Sequence, residues 1–289
     1  MKPLIIKAPA KINLGLSILG KFPSGYHEVK TIYCQVDLFD ELTFQKLGNS
    51  KIEINCNNPS LPVNEKNLVY QAILKARSLL KAGSSDSGIK IFIKKNIPIG
   101  SGLGGGSIDA AMTLKALNKL WKLNLTLVQL IKLAKNIGAD VAYHLIGGMQ
   151  LEYQGGGKAG KFLKLPKLPM CYIVLCFPNI YINSTKAYRQ VDYEKINKNN
   201  LLPLVQSIKL KNLKQIGQSL HNDFENWTLI KHPVIKQVKE TMLKYGTLGS
   251  LMSGKGSSVY GIFEDLDKAK LVTQLLKKDF RQTFLVKPI

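Results

Sequence analysis

The sequence predicts an α+β protein of two domains. Three observations carry that expectation. The chain has 289 residues, more than one small domain needs and enough for two of ordinary size. Period-two apolar alternation, the pattern of half-buried strands, is interleaved with helical apolar stripes in both halves. A lysine- and proline-rich passage at 158–169 interrupts both patterns near the middle of the chain. The expected domains are therefore 1–164 and 165–289.

The elements follow in order. Ile12, Leu14, Leu16 and Ile18 alternate within a strand expected over 4–19, and Ser24-Gly25 marks a turn before a second strand over 28–45. Ile52, Ile54 and Cys56 alternate again until Asn57-Asn58-Pro59 breaks the chain. A helix is expected over 67–82, with Val69, Ala72, Ile73, Ala76, Leu79 and Leu80 as its stripe and Gly83 as its stop. Residues 88–95 alternate as a strand with one basic and one apolar face. Next comes a glycine run and a helix showing Ala110, Leu114, Leu117 and Trp121 on one face. Thr126 and Gln129 fit a capping box for the following helix, which Gly138 ends. The second half reads as a buried strand (172–177), an Asn- and Lys-rich stretch (190–214) and helices over 212–227 and 231–245. A strand-loop-strand (249–263), a helix and a last strand close the chain.

Lys and Arg total 41 against 19 Asp and Glu, a net charge of +22. The only arginines are Arg77, Arg189 and Arg281, so the residue that best reads base edges is scarce. The lysines are scattered, and no nucleic-acid partner is expected. The positive field would still raise the encounter rate of anions such as nucleotides. Four cysteines without CxxC spacing and four dispersed histidines give no zinc signature and point to reduced thiols. The longest apolar run, 170–177, is too short to cross a bilayer, and Lys7 and Lys11 interrupt the N-terminal apolar stretch. A cytoplasmic protein without a membrane partner is expected, working as a monomer or weak homodimer.

Five of the seven residues from Gly100 to Gly106 are glycine. Glycine costs entropy on folding and is placed where the backbone must approach something closely. Between a strand and a helix N-terminus, such a run offers free amides and the positive end of the helix dipole, a cradle for phosphate. It is not a Walker loop, because Gly106 is followed by Ser107 without a lysine. Gly100, Gly102 and Gly105 satisfy GxGxxG. The dinucleotide fingerprint also needs an acidic residue about 20 residues on, and 110–139 contains none. No His-Arg-Asp loop accompanies it, as a protein kinase would require.

The run Pro98-Ile99-Gly100-Ser101-Gly102-Leu103-Gly104-Gly105-Gly106-Ser107, entering a helix at Ile108, resembles the phosphate motif of the galactokinase, homoserine kinase, mevalonate kinase and phosphomevalonate kinase superfamily. Four further blocks are similar to the 4-diphosphocytidyl-2-C-methyl-D-erythritol kinase family within it: 8–14, Gly25-Tyr26-His27, Gly138-Ala139-Asp140-Val141, and Ser253-Gly254-Lys255-Gly256. They occur in order and span most of the chain. The resemblance implies a two-domain small-molecule kinase fold. The N-terminal domain would be ribosomal-protein-S5-like and the C-terminal one ferredoxin-like, with the active site in the cleft between them. It also implies an ATP-dependent kinase of non-mevalonate isoprenoid synthesis that phosphorylates the 2-hydroxyl of a cytidine-diphosphate-bearing sugar alcohol.

Site roles come with the resemblance. Residues Pro98 to Ile108 would hold ATP, and Ser107 would bind Mg²⁺ or a phosphate oxygen. Asp140 would be the base, although the more common fate of an Asp after Gly is to be an N-cap. Lys11 would face Asp140 and lower its pKa, and Asn13, on the same strand face, would bind substrate. Tyr26 and His27 would bind the cytosine, with Tyr188 as the opposite aromatic wall, and Thr185 would bind substrate. Asn67, Leu68 and Lys94 are expected at the adenosine. Two departures stand out: Asp140-Val141-Ala142 has Ala where Pro is usual, and Lys255 replaces a small residue.

Overall fold

The structure, a computed structural model, describes residues 2–23, 27–80, 87–155, 160–191 and 201–289. The first half runs β1 (Leu4–Lys21), β2 (His27–Leu47), β3 (Ile52–Cys56), α1 (Leu68–Arg77), β4 (Gly88–Lys94), α2 (Gly105–Leu120), α3 (Leu127–Ala134), α4 (Ala139–Ile146), β5 (Gln150–Gly155) and β6 (Lys161–Lys164). The second half runs β7 (Tyr172–Cys176), α5 (Ser184–Arg189), α6 (Leu202–Lys209), α7 (Leu213–Gln218), β8 (His221–Asn222), α8 (Glu225–Lys231), α9 (Pro233–Lys244), β9 (Gly249–Met252), β10 (Val259–Phe263), α10 (Leu266–Asp279) and β11 (Thr283–Val286).

The strands form two sheets. One is ordered β3-β4-β2-β1-β8, with β5 pairing β2 and bearing β6 at its edge; the other is β11-β7-β10-β9. In the first sheet, alternation works as the sequence suggests. Ile89, Ile91 and Ile93 of β4 turn inward, while Lys90, Phe92 and Lys94 face solvent. Ile12, Leu14 and Leu42 join them against Val69 and Ile73 of α1 and Ala111 and Leu114 of α2. Full burial of each large side chain contributes about 1.5–3 kcal/mol.

The opposite face of β1 is also buried, which is unusual for a strand bearing Lys11, Asn13 and Ser17. The second sheet and its loops cover it: the Tyr260 hydroxyl donates to the Asn13 carbonyl at 2.9 Å. The pairing of β1 with β2 shifts register between Pro9 and Lys11 and again between Asn13 and Gly15. Such bulges re-aim side chains, and Lys11 and Asn13 lie between them.

The helices depart from the sequence pattern in several places: α3 ends at Ala134 with Lys135 as its C-cap, short of Gly138, and α6 lies inside the 190–214 stretch. The expected 212–227 helix is split into α7, β8 and α8. Gly217 and Gly249 pack backbone to backbone, so that a Cβ on Gly249 would lie 2.1 Å from the Gly217 carbonyl oxygen. The chain then leaves the helix to pair His221 and Asn222 with Gly15 and Leu16. Helix α1 ends at Arg77 with Ser78 as its C-cap, short of 82, and Gly83 lies outside the described residues. The capping box at Thr126 and Gln129 forms as expected. Among the described residues, no helix is long and apolar enough to cross a membrane.

Candidate active site

The glycine run, β1, β2, α4 and the 254–255 turn enclose a cavity of about 560 Å³. Its wall begins with the run itself. Gly100, Gly102 and Gly104 have φ of +72°, +83° and +75°, a region L side chains rarely adopt. Space is equally restrictive: a Cβ on Gly102 would lie 2.3 Å from the Ser253 carbonyl oxygen, and one on Gly104 2.6 Å from His144 Nε2. The second glycine loop interlocks here. Ser253 Oγ donates to the Gly102 carbonyl at 3.1 Å, and the Ser258 amide donates to the Ser101 carbonyl at 3.1 Å. Asn222 Nδ2 braces that loop by donating to the Met252 and Gly254 carbonyls at 2.7 and 2.6 Å.

Helix α2 starts directly at the run. Gly104 is its N-cap and supplies no capping side chain, and the first amides of a helix have no intrahelical acceptor. Gly104, Gly105, Gly106 and Ser107 line the cavity, as do Pro98, Ile99, Gly100, Ser101 and Gly102. Leu103 and Ile108 are instead buried in the core. The Leu103 carbonyl accepts the Lys11 amide at 3.0 Å and so ties the run to β1.

Lys11 and Asp140, 129 positions apart by number, meet at this wall. Lys11 Nζ lies 3.6 Å from Asp140 Oδ2. It also donates to Asn13 Oδ1 at 2.7 Å. The N-cap of α4 is Gly138, which leaves Asp140 in the first turn and its carboxylate turned to the cavity. Burial works to raise the Asp140 pKa, but Lys11 and a hydrogen bond from Tyr33 outweigh it and hold the carboxyl below its ordinary range. Burial lowers the Lys11 pKa against the pull of Asp140. Asn13 lines the cavity, yet its amide is engaged by Lys11 and, at 2.8 Å, by Thr31. Its visible work is to aim the Lys11 ammonium. Lys255 lines the same wall, where burial lowers its pKa and Asp140 opposes the shift.

Neither Tyr33 nor Glu152 was among the residues the sequence suggested. The Tyr33 hydroxyl is 3.1 Å from Asp140 Oδ1 and 2.8 Å from Glu152 Oε2. Both residues are buried at the cavity floor.

The aromatic side of the site is placed as follows. The rings of His27 and Tyr188 stack on each other, 4.4 Å apart and 23° from parallel, with Phe224 edge-on to Tyr188 at 5.0 Å. A base entering between His27 and Tyr188 must therefore part them. Tyr26 lies outside the described residues. Thr185 is exposed and lies off the cavity wall.

Of the adenosine candidates, Leu68 lines the cavity. Asn67 does not: it is the N-cap of α1, accepting from the Val69 amide at 2.8 Å and donating to the Pro62 carbonyl at 2.6 Å. Lys94 points to solvent, because consecutive strand residues face opposite sides. Its neighbour Lys95 lines the wall instead, paired with buried Asp40 and, at 3.0 Å, with Asp109. Burial opposes the Lys95 charge, but the two carboxylates prevail and raise its pKa.

Known proteins resemble this chain over nearly its whole length. The GHMP kinases N terminal domain model matches residues 67–150, and the GHMP kinases C terminal model matches 204–282. Over 287 residues the chain is 38% identical to the 4-diphosphocytidyl-2-C-methyl-D-erythritol kinase of Enterococcus faecalis, covering 99% of both chains. The chain belongs to the 4-diphosphocytidyl-2-C-methyl-D-erythritol kinase family. A crystal structure of a 4-(cytidine 5'-diphospho)-2C-methyl-D-erythritol kinase superposes with a TM-score of 0.81 at 30% identity, over 99% of both chains. The homoserine kinase of Cytophaga hutchinsonii shares the fold, with a TM-score of 0.76 at 22% identity over 100% of this chain and 95% of its own. The two-domain α+β architecture is thus that of the GHMP kinases, which are ATP-dependent small-molecule kinases.

Proposed function

We propose that this chain transfers the γ-phosphoryl group of ATP to the 2-hydroxyl of 4-diphosphocytidyl-2-C-methyl-D-erythritol, in the cytoplasmic, non-mevalonate route to isoprenoid precursors. Transfer takes place in the cleft between domains 1–164 and 165–289. The observation that carries the reading is the pairing of a buried Lys11 ammonium with the half-buried Asp140 carboxylate, 3.6 Å apart, on a cavity whose adjoining wall is the uncapped start of α2.

Phosphoryl transfer passes through a loose transition state with charge spread over the equatorial oxygens, so catalysis is mostly positioning and neutralisation. The amides at 104–107 receive phosphate oxygens at the positive end of the α2 dipole. Asp140, held ionised, takes the proton of the acceptor hydroxyl as the new O–P bond forms. Lys11 keeps that carboxylate ionised and balances the charge gathering on the transferred group, with Lys255 as a second cation nearby. His27 and Tyr188 offer ring faces for a cytosine.

Mg²⁺ fits this site as a partner of the nucleotide. Ser107 lines the cavity in the first turn of α2 and would hold the ion through its hydroxyl. Among the described residues no cluster of three or more His, Cys, Asp or Glu could cage a metal. Mg²⁺ needs only one or two protein oxygens when phosphates supply further ligands. Bound there, it would neutralise phosphate charge.

The test is an ADP-release assay with a panel of acceptors. Turnover with 4-diphosphocytidyl-2-C-methyl-D-erythritol, and none with homoserine or mevalonate, is the expected result. Turnover with homoserine alone would overturn the substrate assignment.

A further inference from the structure

Three oxygens stand in a row at the cavity floor: Asp140 Oδ1, the Tyr33 hydroxyl and Glu152 Oε2, separated by 3.1 and 2.8 Å. The row has two hydrogen-bond contacts, but Tyr33 brings one proton. Two ionised carboxylates cannot donate, so filling both contacts takes one further proton, held by Glu152 or by Asp140. Glu152 is 2% exposed, and an ionised carboxylate there is costly.

We propose that Asp140 and Glu152 share a single proton across the Tyr33 hydroxyl, making Tyr33 and Glu152 positioning residues that set the proton affinity of the base. This rests on the reading of Asp140 as the base. With the proton on Glu152, Glu152 donates to Tyr33 and Tyr33 donates to an ionised Asp140. Shifting it breaks the Glu152 O–H and the original Tyr33 O–H, and forms a new Tyr33 O–H and an Asp140 O–H. Both states carry one negative charge. When the shared proton is lost to solvent, Tyr33 turns its own proton to Glu152. Asp140 then loses a donor, gains a second anion nearby and becomes the stronger base.

The surroundings fit a proton that leaves near neutrality. Burial raises the Glu152 pKa to about 7. The Asp140 charge from α4 adds to that, while Lys11 of β1, the Tyr33 hydroxyl of β2 and the Gly160 amide, 2.7 Å from Oε1, oppose it. Asp140 itself faces Lys11, Tyr33, Lys255 and His144. Burial lowers the His144 pKa to about 3, so that ring is neutral in this range.

The test is the pH profile of single-turnover phosphoryl transfer in the parent and in Glu152→Gln and Tyr33→Phe. Gln mimics the protonated carboxyl: its oxygen can accept from Gly160 and its NH₂ can donate to Tyr33. In the parent the rate should rise about 3–10-fold through a step near pH 7. In Glu152→Gln that step should vanish and leave the low-pH rate. Tyr33→Phe, which cuts the bridge, should also lose it. An infrared band of a protonated buried carboxyl, present at pH 6 and absent in Glu152→Gln, should accompany the step. The proposal is overturned if both variants keep the step, or if they change only KM or the melting temperature. It is also overturned if neither the step nor the band is seen in the parent. Asp140→Asn separates the two levels of the argument. Near-parental turnover in that variant defeats the base assignment, whereas an inactive Asp140→Asn with unchanged profiles in the other two defeats the shared proton alone.

Discussion

Replacing Lys11 with Met removes one charge from the site while keeping an unbranched side chain of similar length. In the parent the ammonium lies 3.6 Å from Asp140 Oδ2. Unit charges at that distance attract by about 4–5 kcal/mol at an effective dielectric near 20. Asp140 is 32% exposed to the cavity, so solvent screening reduces this to about 1–2 kcal/mol. The Asp140 pKa therefore rises in the variant, and the acid limb of kcat/KM moves to higher pH. The larger loss falls on the transition state, where the transferred group loses a desolvated cation: about 3 kcal/mol, or roughly 10²-fold or more in kcat.

Stability responds differently. Burial lowers the folded-state pKa of Lys11, so its charge opposes folding below that pKa, and the penalty fades as pH rises through it. The depressed Asp140 pKa has the other sign: it supports folding above the unfolded carboxyl value and that support is lost as pH falls. Near pH 7 the variant is relieved of the first effect and gives up part of the second. Its melting temperature should stay within about 4 °C of the parent's. Steady-state kinetics and a thermal melt on the same preparation decide the matter. More than a tenth of parental turnover, or lost activity accompanied by a melting temperature lower by about 10 °C or more, would refute the reasoning.

Three other outcomes follow from the same geometry. Gly104→Ala puts a Cβ 2.6 Å from the His144 ring at a φ of +75°, so the KM for ATP should rise about tenfold while the acceptor KM moves little. Tyr188→Ala should raise the acceptor KM by about tenfold without changing that for ATP, and Tyr188→Phe should stay near the parent in both, as measured by initial rates. Lys95→Met leaves Asp40 and Asp109 buried without their cation, and denaturant unfolding should show a loss of about 3–5 kcal/mol that Asp109→Asn partly restores.

Local pattern made much of the fold legible. Alternation in β4 and the capping box before α3 needed only neighbouring residues, and period two placed Lys11 and Asn13 on one strand face. The glycine run announced a close backbone approach for the same reason. What escaped depended on distant partners. The break at β8 reflects Gly217 meeting Gly249 and the edge of β1, neither visible within a helical window. Tyr33 reaches Glu152 because β2 pairs with β5 in a register that sets Thr31 opposite Glu152. Lys94 and Lys95 are consecutive residues with opposite facings, and motif matching alone does not say which of them faces the cavity. Asn67 resembled a binding residue, but its amide serves as a helix cap.

The most direct measurement is a crystal structure with a non-hydrolysable ATP analogue and the cytidine-diphosphate acceptor bound together. The account predicts β-phosphate oxygens within hydrogen-bond distance of the 104–107 amides, and the γ-phosphorus between Lys11 and the acceptor hydroxyl, which itself contacts Asp140. A nucleotide bound away from the start of α2, or an acceptor hydroxyl out of reach of Asp140, would contradict it.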